Sequence, residues 1–119
     1  MKSVEDLYVF KKAHALVLKI YELTEKFPSH EKFGLISQIR RSAYSVPSNL
    51  IEGGNRLGSK EYRQFVGIAR GSISELKYQL MLSKDLKYIS SEMFEEIKKE
   101  ILEISCMLMG LANSLYKKV

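Results

Sequence analysis

From Phe10 to Leu115 the apolar residues recur at every third or fourth position, and nowhere does an alternation of period two persist. That spacing lays an apolar stripe along a helix and cannot build a half-buried strand. Punctuation cuts the pattern into four, because the chain has only two prolines, Pro28 and Pro47, and crowds three of its seven glycines into Gly53, Gly54 and Gly58. Helix 1 is predicted from about Asp6 to Lys26, with Phe10, Ala13, Val17, Ile20, Thr24 and Phe27 on its inner face and Pro28 as its stop. Ser29 is the expected N-cap of helix 2, whose face carries Phe33, Ile36, Ile39, Ala43, Val46 and Leu50. Ser59 is expected to cap helix 3, with Tyr62, Val66, Ala69, Ile73, Leu76 and Leu80 inward. Ser90 or Ser91 caps helix 4, where Phe94, Ile97, Ile101, Ile104, Leu108, Leu111 and Leu115 keep the period without a miss. Short connections between long helices favour antiparallel neighbours. The predicted class is all-α, an antiparallel up-down-up-down four-helix bundle with helix 2 kinked or broken near Pro47.

At 119 residues the chain is expected to form one four-helix-bundle domain over residues 1–119, with a core large enough to stand without staples. A single cysteine, Cys106, has nothing to pair with, and MKSVEDLYVF holds no apolar run resembling a signal segment, so a cytoplasmic location is expected. The longest uncharged stretch, Ile104 to Tyr116, is too short and too polar to cross a bilayer, so no membrane is expected as a partner. The apolar stripes are also broader than four helices need. Val9, Leu16 and Leu23 add a row on helix 1, Phe65, Ile68, Leu82 and Leu86 widen helix 3, and the end of helix 4 carries no charge on any side. Self-association is the economical use of that surplus.

Residues 31–89 hold 10 basic and 5 acidic side chains, which accounts for the whole net charge of +5. Arg63, Arg70, Lys77 and Lys84 repeat every seven residues, which predicts one line along the solvent face of helix 3. The topology also gathers Lys2, Lys11, Lys12, Arg56, Lys60, Arg63, Lys117 and Lys118 at one end, against Glu5, Asp6, Glu52 and Glu61. Two helix N-termini point there, with Tyr62 and Tyr8 near for stacking on a base, so that end is the expected anion site. Arg40 and Arg41 lie beside an apolar row, where at least one should meet a carboxylate or carbonyl, Glu52 and Glu75 being the expected partners. The candidate nucleic-acid-binding residues are therefore Arg40, Arg41, Arg56, Lys60, Arg63 and Arg70.

Catalysis finds little support. His14 and His30 are the only histidines, and neither stands in a Glu-x-x-His or His-x-x-x-His spacing, so no metal site, cofactor or catalytic residue is expected. The arginine-then-histidine motif of HEPN-class helical ribonucleases cannot exist, since every arginine from Arg40 to Arg70 follows both histidines. Gly53 to Lys60 has the glycine spacing of a P-loop, but Ser59 and Lys60 stand in the wrong order and follow a helix rather than a strand.

Glu25-Lys26-Phe27-Pro28, then GLISQIRRSAYSVPSNLIEG from Gly34 to Gly53, Ser59-Lys60-Glu61-Tyr62 with Phe65, and IARGSISELKYQL from Ile68 to Leu80 carry a resemblance over essentially the whole chain. The sequence resembles the 23S rRNA intervening-sequence proteins, with matches at Arg40, Arg41, Ser45, Pro47, Asn49, Glu52, Gly53, Arg56, Glu61, Phe65, Gly71, Ser72 and Glu75. Gly54 is the one departure, expected to loosen the loop slightly. The resemblance implies a four-helix bundle encoded within, or apart from, bacterial large-subunit rRNA genes and assembled as a homopentameric ring. It implies no enzymatic activity. Likeness extends to the accessory variability determinant of diversity-generating retroelements, a basic pentamer that binds nucleic acid and a reverse transcriptase. Two functions are therefore expected in order: a non-enzymatic oligomeric nucleic-acid binder, RNA before DNA, or an assembly scaffold for an acidic protein partner. Within the fold, Asn49 and Ser48 are expected to re-satisfy backbone freed by Pro47, and Gly71 to let helix 3 approach a neighbour.

Overall fold

A computed structural model describes residues 3–116. Four helices run in order, α1 Tyr8–Thr24, α2 Leu35–Gly54, α3 Ser59–Asp85 and α4 Ser91–Tyr116, with short 3-10 turns at Val4–Asp6 and Ser29–Glu31 and no strand among the described residues. Each helix packs on the next and α4 returns against α1, giving an antiparallel bundle 45 × 25 × 20 Å. Lys2, Lys117 and Lys118 lie outside the described residues.

The predicted inner faces of α3 and α4 hold with small shifts. Val66, Ala69, Ile73, Leu76 and Leu80 are buried on α3, and Phe94, Ile97, Ile101, Ile104 and Leu108 on α4. Tyr62 is half-buried, and Ala112 replaces Leu111 in the last buried turn. On α1 the face is rotated. Val9 and Leu16 are buried with Ala13, Val17 and Ile20, whereas Phe10 is only half-covered. Val9 and Leu16 therefore belong to the chain's own core rather than to a surplus row.

Helix 2 departs most from expectation. Residues 29–31 form a separate 3-10 turn, and α2 begins at Leu35 after Gly34, whose backbone (φ −111°, ψ −109°) is not helical. Ser29 caps nothing. Instead the Leu35 amide donates to Glu31 Oε1 at 3.3 Å, an acceptor for one of the free first-turn amides. Phe33, expected inward, is 90% exposed, because the helical register that would bury it starts one residue beyond Gly34. Pro47 does not split α2, which continues to Gly54 with Val46 and Pro47 both buried. Asn49 Nδ2 donates to the Ser45 carbonyl (2.8 Å) and hydroxyl (2.9 Å), one turn back on its own helix, rather than to Ala43, the acceptor that Pro47 cannot serve. Ser45 also bonds Ser72 on α3 at 2.9 Å, and Ser42 donates to Glu75 at 2.9 Å, so two serines of α2 stitch it to α3.

Closure of the bundle is local at both ends. A Cβ on Gly53 would stand 2.8 Å from Phe65 Cβ and 3.2 Å from the Tyr62 carbonyl, so only glycine lets the end of α2 sit this close to the start of α3. Gly54 is helical rather than loose, and the space a Cβ would need is filled by Val4 of the N-terminal turn. Gly71 meets nothing within 4 Å and permits no close approach inside the chain. Ser59 is the first residue of α3, with Gly58 in the cap position, while Ser90 does cap α4 through a 3.0 Å bond from the Met93 amide. The end of α3 is a Schellman turn: Tyr88 N–H reaches Ser83 O at 2.8 Å and Lys87 N–H reaches Lys84 O at 2.9 Å. Lys87 takes the left-handed position (φ 67°) that usually falls to glycine. Tyr88 then packs on Phe27 (5.3 Å between rings) and donates to Glu31 Oε2 at 2.9 Å, tying the α3–α4 turn to the α1–α2 turn.

Two glycines should answer opposite ways to alanine. Gly53→Ala should cost about 1–3 kcal/mol in urea unfolding through overpacking, while Gly110→Ala, helical and open, should gain about 0.5–1 kcal/mol. Carboxylate partners hold the Lys12 and Lys19 ammonium groups above their usual 10.5, and burial of Tyr62 and the Tyr88–Glu31 bond hold both phenols above 10.0. All four shifts are upward, so their contribution is whole below about pH 10 and is lost as pH rises through the folded values; the melting temperature should fall on that alkaline side.

Candidate nucleic-acid interface

The six candidate cations fall into three settings. Arg40 is committed to the fold. Its Nε donates to Thr24 Oγ1 at 2.8 Å, one Nη to the Tyr21 carbonyl at 3.3 Å, and the guanidinium lies 4.5 Å from the Tyr21 ring centre. Glu25 is the nearest carboxylate at 3.9 Å, and neither expected partner is used: Glu52 pairs with Arg56, and Glu75 accepts from Ser42. Thr24 is buried to 1% exposure, so this arginine anchors the last turn of α1 on α2.

At the end expected to bind anions, two of the described cations, Arg56 and Lys12, are paired with carboxylates from within. Arg56 stands 3.0 Å from Glu52 and 3.9 Å from Glu61, with its guanidinium over Phe65. Lys12 is held at 2.7 Å by Glu103. Arg63 donates to the Ala112 carbonyl at 3.3 Å and stacks on Tyr116. Tyr62 is half-buried, its ring beside Gly53 and lining a cavity of about 450 Å³ with Val4, Leu7 and Leu111, whereas Tyr8 is exposed with Lys12 beside it. Lys60 is exposed. The heptad line on α3 is displaced too: Arg63 reaches α4, and Lys84 lies over Phe94 of α4, so the line follows the α3–α4 seam rather than open solvent. Arg70, half-buried on that line, has an Nε with no hydrogen-bond partner among the described residues.

Arg41 has a different setting. Together with Arg40 and Lys32 it lines an open groove of about 410 Å³ between the end of α1 and the start of α2. Tyr21, Phe33 and Tyr44 supply the aromatic surface, and no carboxylate lines it. Lys32 and Arg41 are exposed, and Phe33 and Tyr44 show 90% and 45% of their surface. Lys32, Phe33 and Tyr44 were not among the candidate residues. Ser37, Arg41 and Tyr44 stand at i, i+4 and i+7 on the face of α2 opposite Ile39 and Val46, a line that helical spacing already contained. Phe33 had no such signal, because its spacing to Ile36 and Ile39 reads as core.

Apolar walls with clustered cations and exposed rings can hold a polyanion that also offers flat faces. The described residues contain no group of three or more His, Cys, Asp or Glu that could hold a metal ion, and no helix among them is long and apolar enough to cross a membrane.

No curated protein matches the chain. A crystal structure described as a protein of unknown function from the S23 ribosomal protein family of Bacteroides thetaiotaomicron superposes with a TM-score of 0.81 at 26% identity, covering 87% of this chain and 97% of that one. The sequence model of the 23S rRNA-intervening sequence proteins matches residues 5–110, a span that takes in α1, α2, α3 and most of α4. With the Arg40 anchor, the Ser45–Ser72 and Ser42–Glu75 stitches and the Gly53 contact all inside that span, the chain belongs to the 23S rRNA-intervening sequence protein family.

Proposed function

We propose that this protein is a non-enzymatic nucleic-acid-binding module that works as an oligomer and takes its ligand at the α1–α2 groove. The observation that carries the reading is the groove itself, where Lys32 and Arg41 stand exposed without a lining carboxylate, beside an Arg40 already engaged by Thr24, Tyr21 and Glu25. Cations already paired must give up a partner before they meet phosphate; Arg41 and Lys32 have no carboxylate on the groove wall to leave. RNA is favoured over DNA by the family's description, which ties it to rRNA genes. Catalysis has no footing in the histidines, which are engaged apart, His14 stacked on Phe10 and His30 beside the Tyr88 hydroxyl at 3.5 Å.

The oligomer has a face to use. Outward on α3, Gly67 and Gly71 have open space around them, and Ile68, Tyr78 and Met81 are exposed at 52%, 58% and 40%. A second copy of α3 or α4 could approach such a helix closely. By family resemblance the assembly is a pentamer. Met107 and Leu111 pack partly on the chain's own core, so substitutions there would report on folding rather than on assembly.

Binding of a labelled oligoribonucleotide should fall with salt, and Lys32→Ala with Arg41→Ala should weaken it and flatten the slope by about 0.7 log units for each phosphate no longer neutralised. Arg56→Ala with Lys60→Ala should change it far less. A Lys32→Ala, Arg41→Ala protein that binds as the parent does would remove the groove from the reading; a parent that ignores RNA and binds an acidic protein would favour the scaffold. Light scattering at micromolar concentration should give an oligomer, and Gly71→Glu should reduce it to monomers with helix content retained. A monomeric parent would overturn the assembly.

A further inference from the structure

Resting on the nucleic-acid reading, we infer that the α1–α2 groove selects unpaired nucleotides, with Phe33 and Tyr44 as stacking platforms on either side of Arg41. Phe33 is 90% exposed, yet the turn that presents it is held firmly: the Gly34 amide donates to the Glu31 carbonyl at 3.1 Å, the Leu35 amide to Glu31 Oε1 at 3.3 Å, and Glu31 Oε2 receives the Tyr88 hydroxyl at 2.9 Å. An apolar side chain carried into water by an anchored turn is a surface open to something flat.

The neighbours fit one occupant. Lys32 lies 5.5 Å from the Phe33 ring centre, and Arg41 and Tyr44 follow along α2, about 10 Å of helix separating Ser37 from Tyr44. Tyr21 is not a free platform, since the Arg40 guanidinium covers it at 4.5 Å. Cations beside two open rings suit a strand whose phosphates and bases are both reachable. A duplex offers phosphates but keeps its base faces stacked inside, so it would use the charges and leave the rings idle. Ser37 is the one uncharged polar side chain on the wall apart from the tyrosine hydroxyls; with Lys32 and Arg41 on phosphate, stacking carries the preference for single strands, which every base can satisfy.

The test uses oligouridylate of about 16 nucleotides and the same strand annealed to its complement. Phe33→Ala should weaken the single strand about 5- to 150-fold, leave duplex binding near the parent's, and keep the parent's salt slope because no charge is removed. The chain has no tryptophan, so Phe33→Trp places a lone indole on the platform. Its emission should be quenched by the single strand and not by the duplex. With Phe33 so exposed, both variants should keep the parent's helix content. Equal losses for both ligands, or no loss for either while Lys32→Ala and Arg41→Ala still flatten the salt slope, would overturn the stacking inference and leave the phosphate reading standing. A parent that binds neither strand nor duplex at low salt would overturn both.

Discussion

The approach of α2 to α3 at Gly53 is the constraint on which the bundle rests. Where a Cβ would stand 2.8 Å from Phe65, the two helices cannot be set apart by an ordinary side chain, so the hairpin closes tightly at that end. Along the same seam Ser45–Ser72 and Ser42–Glu75 fix the axial register, because a hydrogen bond a few ångströms out of step is no bond. Helices α1 and α4 add to this pair less closely. Their own seam is bridged at a distance by Lys12–Glu103 and by Lys19 to Glu96 and Glu100, long side chains that span a gap which packing does not close.

Arg40 decides the shape of the α1–α2 groove. By reaching across to Thr24 and Tyr21 it draws the last turn of α1 onto α2, and it uses up the charge that would otherwise be the groove's strongest. What remains available is Arg41 on the next position and Lys32 on the preceding turn. The same pairing rule separates the two ends of the molecule. Net charge counted along the chain treats Arg56 as an asset to its end, whereas in space it sits between Glu52 and Glu61 and the local field largely cancels.

Much of this was legible in the sequence. Four helices follow from the spacing of apolar residues and from the stops at Pro28 and Gly53–Gly58, and the Ser90 cap from its place before a periodic run. Periodicity states which residues share a stripe, not how far the stripe is turned toward its neighbours. That is why Val9 and Leu16 read as surplus, and why the Arg63-to-Lys84 line read as solvent-facing when it follows α4. Phe33 was hidden for a related reason. A period match assumes that the helix is already under way, and Gly34 delays α2 until the next residue. For Arg40 there was reason to expect a carbonyl, and the Tyr21 carbonyl is one, but which residues meet it was out of reach, since a buried threonine hydroxyl and a main-chain carbonyl are groups that charge arithmetic does not count.

An exposed phenylalanine and a left-handed lysine lie at the same end of the bundle, and one chain of contacts joins them. Lys87 accepts an unfavourable backbone position so that Tyr88 can close the α3 turn, and Tyr88 then packs on Phe27 and reaches Glu31. Glu31 in turn holds Leu35 and Gly34 in place. Buried packing at Phe27 thus stabilises the turn that leaves Phe33 outside. The apolar surface that Phe33 keeps in water stands on an ordered backbone, so a site that stacks a flat ligand there has no turn left to order when it binds.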